Sequence, residues 1–510
     1  MKALALPRGD WPLIVGGAIL LCTAYPPFHL VVPSFVCLIP AVWLISAGAL
    51  DQRPLRRHLV QGFWFGLLSN GLILYWMVVA LWRFTKLSAL GYGATIVVLG
   101  LTGAALFALT GWVARRTSLS LLVVFPVLWT MAEWLIGHLS DVRFPWLGLG
   151  TSLSRAPTLV QIADVVGARG LTLLLAAANT ALALAWLRRH NRPQVVALAG
   201  GVAAGIVFAL GYGIVRERTL SLRPVGNIVV LQPNVDYDEK WQPGNRDAIL
   251  QRVLDMSAQA IEQTEPDLVV WPEAAVPDYF IRRPNWATRI AELARESRTP
   301  QFVGGLDAER TADGRIEVFN AAFLFDSLGR SDAYPVYHKR YLVPITERVP
   351  FLPPRWFRSL EHFGGATPGR ETPVYRVGIG RFGTLICYES AFEDLSRSYR
   401  RQGADFLLNI TNDAWFGRTS APYQHAAHLV MRAIENRVGI ARAANTGISE
   451  FVDPLGREYR RTGLYVRAVE NHELVTSDVM TIYTRWGDWV GTLNLMATLF
   501  LVGYALWRKR

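Results

Sequence analysis

Long apolar stretches separated by short polar turns fill roughly the first two-fifths of the chain, and one more apolar stretch closes it. A helix that crosses a bilayer needs about 20 mostly apolar residues. Eight segments approach that length: Trp11–Thr23, Val31–Leu50, Leu59–Leu81, Ala89–Val113, Leu119–Gly137, Gly170–Leu187, Val195–Val215 and Trp489–Trp507. The first is the shortest, since Pro26 and Pro27 end it. Lys2 and Arg8 give it the start of a signal peptide, but more spans follow and no small-residue cleavage site is clear, so it reads as a retained helix. Leu21 before Cys22 is also too large for a lipoprotein processing site.

Between these blocks the pattern changes. Short β-rich apolar runs at Asn227–Leu231, Leu268–Trp271, Phe302–Gly304, Ala321–Phe325, Thr384–Cys387 and Phe406–Ile410 alternate with helical periodicity over Arg246–Glu262 and Trp286–Ser297. Such alternation predicts a layered α/β domain. The expected division is 1–218 for seven spans, 219–487 for the α/β domain and 488–510 for the last span and its tail.

Charge refines the picture. A formal net charge of +12 suggests nucleic acid only if the cations share one face of a folded domain. Here many sit in clusters between apolar blocks: Arg53, Arg56 and Arg57; Arg115 and Arg116; Arg188, Arg189 and Arg192; Arg508, Lys509 and Arg510. With the N-terminus inside, all these clusters fall on the cytoplasmic side, as the positive-inside rule requires, and the α/β block lies outside. Arg216 and Arg218, beside Glu217, are the discordant charges. A mean hydropathy of +0.23 agrees with a chain that lives partly in lipid. Nucleic acid is therefore not expected as a partner.

Of three cysteines, Cys22 and Cys37 lie in apolar blocks and only Cys387 belongs to the polar part, which excludes a disulfide framework there. Three motifs close predicted strands: Asp267-Leu-Val-Val-Trp-Pro-Glu273, Tyr337-His-Lys339-Arg-Tyr-Leu-Val-Pro344 and Gly383-Thr-Leu-Ile-Cys387-Tyr-Glu389. Base, cation and nucleophile are the three parts needed for acyl transfer. Singly, each has a plainer reading: a lone Cys closing an apolar strand is most often core, Glu273 a surface carboxylate or cap, and Lys339 a solvated basic spot.

Taken together, these motifs resemble the nitrilase superfamily of carbon–nitrogen hydrolases, whose Glu-Lys-Cys triad sits in an α-β-β-α sandwich. Asn409-Ile-Thr-Asn-Asp-Ala-Trp-Phe-Gly417 is similar to the segment after that family's nucleophile strand. Apolar spans on both sides of such a domain resemble the arrangement of the apolipoprotein N-acyltransferase family. Phe144-Pro-Trp-Leu-Gly148, Trp271-Pro-Glu-Ala-Ala275, Tyr337-His-Lys-Arg340 and Asn445-Thr-Gly-Ile-Ser449 also look like its segments. The resemblance implies Glu273 as general base, Lys339 as oxyanion partner and Cys387 as nucleophile. Glu347 matches a further active-site carboxylate, although Thr346-Glu347-Arg348 stands where the family often has Gly-Glu-Tyr. Trp241, Tyr388, Glu389 and Trp415 match positions near the site.

The resemblance further implies a phospholipid acyl donor attacked at its sn-1 ester, and the α-amine of a diacylglyceryl-cysteine lipoprotein as acceptor. It places the chain in the bacterial cytoplasmic (inner) membrane, with both termini cytoplasmic and the α/β domain periplasmic. No cofactor is expected: there is no Gly-x4-Gly-Lys-[Ser/Thr] phosphate loop, and no Gly-x-Gly-x-x-Gly follows a predicted strand. His425 and His428 share a helix face, but two histidines without a third suitably spaced ligand do not make a zinc site. Arg432, Glu435 and Arg437 are expected to form structural ion pairs on an exposed helix face. The apolar, aromatic segment Val349–Phe357 is expected to dip into the membrane interface.

Two rival readings remain open at this stage. A membrane-tethered amidase or nitrilase uses the same triad with water as acceptor. A transporter with a catalytically inactive outer domain requires polar groups along a midplane path, for which Glu133, Asp164 and Asn179 are the candidates.

Overall fold

The computed structural model describes residues 6–51, 53–82, 88–312, 314–353, 356 and 365–508. It forms two compact units: one comprises Met1–Thr219, Thr419–Ala427 and Trp486–Arg510, the other Leu220–Arg418 and His428–Arg485.

The first unit is helical. Among the described residues, six helices are long and apolar enough to cross a membrane: Val31–Gly48, Ala89–Thr117, Leu121–His138, Ala163–Leu187, Arg192–Thr219 and Trp489–Trp507. The other two sequence segments are also helices, over Asp10–Ala24 and Pro54–Ile73, and Trp76–Trp82 follows the second. The Val31–Gly48 span is interrupted between Val36 and Ile39. Backbone released inside a membrane must find partners, and here Asn179 supplies them: Leu38 N–H donates to Asn179 Oδ1 at 2.8 Å, and Asn179 Nδ2 donates to the Ser34 carbonyl at 2.9 Å.

Glu133 is likewise engaged. It accepts from Trp129 Nε1, Leu149 N and Thr172 Oγ1 and pairs with Arg169 at 3.5 Å. Asp164 accepts from Tyr212 and pairs with Arg216, so that this discordant cation has its own buried counter-charge. All three polar groups that a transport path would use are thus spent on fixing helices to one another.

The second unit holds twelve strands in chain order: β1 Arg223–Gln232, β2 Leu268–Val270, β3 Gln301–Arg310, β4 Ile316–Phe325, β5 Tyr337–His338, β6 Tyr375–Val377, β7 Gly380–Ile386, β8 Phe406–Thr411, β9 Gly439–Ala444, β10 Glu450–Val452, β11 Glu458–Tyr459 and β12 Ala468–Thr476. They make two six-stranded sheets, ordered β12-β1-β2-β3-β4-β5 and β11-β10-β9-β8-β7-β6. In each sheet the centre is parallel, β1-β2-β3 and β7-β8-β9. Parallel strands covered on both faces read as continuous apolar runs, which is why Leu268–Val270 and Phe406–Leu408 stand out in the sequence.

Strand alternation builds the layers. Val229, Leu231, Val303, Phe323 and Phe325 point to one face, where they pack with Leu250, Val253, Trp286 and Ile290 of the helices Arg246–Thr264 and Pro284–Ser297. On the opposite face Phe302 meets Tyr375 at 5.5 Å and Phe382 at 5.1 Å, ring centre to ring centre, joining the two sheets. The helix Glu393–Arg401 covers the outer face of β7 through Tyr399, which is fully buried. The result is an α-β-β-α sandwich.

The helix Ala421–Asn436 corrects one expectation. Arg432 and Glu435 do pair, at 2.8 Å, but they and Arg437 are at most 1% exposed, so the charges neutralise one another inside the unit and not on a solvated face. Of Val349–Phe357, Phe351 and Trp356 are 70% and 61% exposed, while positions 354, 355 and 357 lie outside the described residues. Lys509 and Arg510 lie outside them as well.

Close approach of the covering helix makes Gly383 irreplaceable, because a Cβ there would stand 2.2 Å from Tyr399 Cγ. Gly383→Ala is expected to destabilise the α/β unit by about 1–3 kcal/mol, the usual range for overpacking a tight core. Thermal unfolding of the full chain in detergent checks this, and an unchanged midpoint would contradict the packing argument.

Candidate active site

The ends of four strands converge. β2 runs through Trp271 and Pro272 to Glu273, β5 delivers Lys339, β7 delivers Cys387 and β8 delivers Asn412. Gly304 on β3 allows the Glu273 turn to lie this close, since a Cβ there would be 2.3 Å from the Pro272 carbonyl oxygen and 2.8 Å from Glu273 Cα.

Glu273 is 5% exposed and Lys339 1%. Lys339 Nζ donates to Glu347 Oε1 at 2.9 Å and to Glu273 Oε1 at 3.4 Å. Asn320 Nδ2 donates to the same two oxygens, at 3.0 and 2.6 Å. The remaining oxygens are also engaged: Glu273 Oε2 accepts from Asn412 N at 2.7 Å and Glu347 Oε2 from Val343 N at 2.8 Å. Two carboxylates therefore share one ammonium and one amide in a closed square. Burial pulls the Lys339 ammonium down, but the charges of Glu347 and Glu273 outweigh it and hold the group well above its usual range.

Cys387 begins the turn after β7 with φ of 52°, a left-handed conformation that a non-glycine residue adopts only under local constraint. That constraint is Glu389. Its carboxylate accepts from Ile386 N at 2.7 Å, from Arg340 N at 2.6 Å, from Tyr341 N at 3.2 Å and from the Tyr337 hydroxyl at 2.8 Å. One buried side chain thus ties the nucleophile turn to the segment that carries Lys339. Burial pushes the Glu389 carboxyl up to about 7, against the opposing pull of the Ile386 amide and the Lys339 charge.

Burial also pushes the Cys387 thiol up, with the Glu273 charge adding to the rise and Lys339 opposing it. The resting sulfur is therefore a thiol, and its proton must leave as a bond forms. Tyr388 is buried and meets Phe392 edge-on at 5.0 Å, while Tyr341 stacks on Phe392 at 4.1 Å. Trp241 and Trp415 are brought together by Tyr237, whose ring lies 6.5 Å from the first and 5.0 Å from the second.

Every sequence-derived site residue thus falls in the α/β unit, in two groups. Glu273, Lys339, Glu347 and Cys387 interact directly or through their charges, with Glu389 and Tyr388 beside them; Trp241 and Trp415 form an aromatic set around Tyr237. Asn320, Asn412 and Lys240 were not anticipated. Asn412 lies within the quoted Asn409–Gly417 segment, whereas Asn320 sits in an ordinary strand and carries no signal. Asn445 fixes the chain leaving β1, donating to the Val235 carbonyl at 2.8 Å and to Asn412 Oδ1 at 2.9 Å. Away from the site, Asp307, Glu309 and His338 place ligand atoms within 4.8 Å of one another, and Asp307 is hydrogen-bonded to His338 Nε2 at 2.7 Å.

Comparison with known proteins gives two family matches: residues 230–465 match the carbon-nitrogen hydrolase model and residues 17–181 the apolipoprotein N-acyltransferase N-terminal domain. An apolipoprotein N-acyltransferase of Geobacter metallireducens is 35% identical over 496 residues, covering 95% of this chain and 93% of that protein. One of Brucella melitensis is 31% identical over 515 residues, covering 95% and 93%. Among solved structures, Saccharomyces cerevisiae Nit3, a member of the nitrilase superfamily, aligns at 20% identity with a TM-score of 0.39, covering 51% of this chain and 93% of that one.

The shared amide of Asn320 yields a test. Asn320→Leu leaves two buried carboxylates with one donor fewer, and a hydrogen bond to a charged group contributes about 1.5–3 kcal/mol. Acylation of Cys387 is expected to slow by roughly tenfold to a hundredfold, measured as the initial rate of adduct formation. Wild-type rates in the variant would show that the amide is dispensable.

Proposed function

Because the chain belongs to the apolipoprotein N-acyltransferase family, we propose that it moves the sn-1 acyl chain of a phospholipid, through a thioester on Cys387, to the α-amine of a lipoprotein's diacylglyceryl-cysteine. The observation that carries this reading is the buried square of Glu273, Glu347, Lys339 and Asn320 within electrostatic reach of a constrained thiol.

As the sulfur attacks the ester carbonyl, Glu273 takes the thiol proton and the S–C bond forms. Negative charge develops on the carbonyl oxygen, and Lys339 offsets it; removing one such donor typically costs about 2.7–4 kcal/mol of transition-state stabilisation. Collapse breaks the C–O bond, and the departing lysophospholipid oxygen takes the proton from Glu273. In the second half the neutral amine attacks the thioester, Glu273 accepts the proton released from nitrogen, and the thiolate leaves and recovers that proton. Thioester to amide runs downhill, and a cycle split in this way is ping-pong.

Incubation of the protein with phospholipid and no acceptor is expected to release lysophospholipid and leave an acyl mass on Cys387 that hydroxylamine removes, with Cys387→Ser forming no such adduct. Free fatty acid without an adduct, and no N-acylated peptide when a diacylglyceryl-cysteine lipopeptide is added, would instead make the protein a hydrolase.

For orientation, we place the α/β unit on the periplasmic side of the bacterial inner membrane, supported by the arginine clusters between spans. In spheroplasts, a membrane-impermeant maleimide should label Glu262→Cys at once and Gln194→Cys only after permeabilisation, both positions being exposed. The opposite pattern would invert the topology.

A further inference from the structure

Lys240 is a buried cation that the mechanism above does not use. It closes the short helix Tyr237–Lys240, which Asp236 caps by accepting from Asp238 N. The residue is 1% exposed, and its ammonium lies 5.9 Å from the centre of the Trp241 ring. A buried ammonium has three protons to satisfy. Among the described residues Nζ makes one hydrogen bond, at 3.2 Å, to the backbone carbonyl of Glu273, and no carboxylate pairs with it.

The Glu273 turn needs such a tie. Ala274 follows with φ of 46°, so the peptide that Lys240 holds sits next to a strained residue, while Gly304 backs the same turn from the other side. Burial pulls the Lys240 ammonium down to about 7, and the Glu273 charge pulls the other way. Interaction between two charges is mutual, so the cation favours the charged carboxylate as much as the carboxylate favours the cation.

We infer that Lys240 is a positioning residue for acyl transfer: its ammonium holds the Glu273 peptide in place and gives that carboxylate a second positive neighbour besides Lys339. This rests on Glu273 acting as the base. The charged and titratable groups facing Glu273 are Lys339, Glu347, Cys387 and Lys240. Those on the short helix around Lys240 are Asp236, Asp238 and Glu239, the last paired with Arg252 at 2.7 Å.

Full-length protein in vesicles of phosphatidylethanolamine and phosphatidylglycerol provides the test, with the initial rate of Cys387 adduct formation followed against phospholipid concentration. Lys240→Met removes both the charge and the tie, Lys240→Gln keeps a donor for the Glu273 carbonyl, and Lys240→Arg keeps the charge. The maximal rate is expected to be kept in Lys240→Arg and to fall severalfold in Lys240→Gln. The maximal rate is expected to fall about tenfold in Met with KM for phospholipid unchanged. A maximal rate in Lys240→Gln equal to that of the wild type overturns the inference, and this variant carries the test if Lys240→Met fails to fold. Absence of any adduct in the wild-type protein would instead overturn the reading of the triad itself.

Discussion

Two carboxylates held around one buried ammonium set the terms for the rest of the α/β unit. Removing charges from water costs several kcal/mol per ion unless partners replace the lost hydration. Glu273, Glu347 and Lys339 find those partners in one another and in neutral donors: the Asn320 amide and the backbone N–H groups of Asn412 and Val343. These donors come from the middle of β4, from the chain just after β8 and from the loop after β5, so the cluster draws on both sheets. In the same arrangement the charges of Glu347 and Glu273 outweigh burial and keep the Lys339 ammonium charged.

Glu389 does for geometry what Lys339 does for charge. A thiol at the end of a strand would ordinarily follow the strand into the core, but four donors on one carboxylate hold the chain in its turn at Cys387. Because Arg340 and Tyr341 belong to the segment following Lys339, the Cys387 turn and that segment are tied together by a single side chain. Glu389 thus acts as a positioning residue, and its closeness to the sulfur in sequence conceals that its partners come mostly from elsewhere.

How far this was legible depends on whether a residue's role is local. β2, β7 and β8 announce themselves as apolar runs, so the places of Glu273 and Cys387 at strand ends could be read from the pattern, while the roles expected of them came only from the family resemblance. β9 could not. Its six residues are all buried, yet Arg442 interrupts the apolar pattern because it is paired inside with Asp413 at 2.9 Å. Asn320 and Lys240 were missed for a related reason. One is an ordinary strand residue and the other a lysine among acidic neighbours, and what makes each important is a partner at least 33 positions away in the chain. Arg432 and Glu435 show the converse error, in which spacing gave the pair correctly but said nothing about burial.

The helical unit follows the same logic in lipid, where a polar group without a partner is costlier still. Gln424 lies in Thr419–Ala427, a segment drawn from between β8 and β9 in the sequence but belonging to this unit. Its side-chain oxygen accepts from the indoles of Trp76 and Trp146, and its nitrogen donates to the carbonyls of Pro26 and Ile73. Every hydrogen-bonding position of that amide is therefore filled. Trp146 belongs to the Phe144–Gly148 motif, whose following residue, Leu149, donates its N–H to Glu133. A sequence signature with no chemistry of its own is thus explained as the wall of a polar socket.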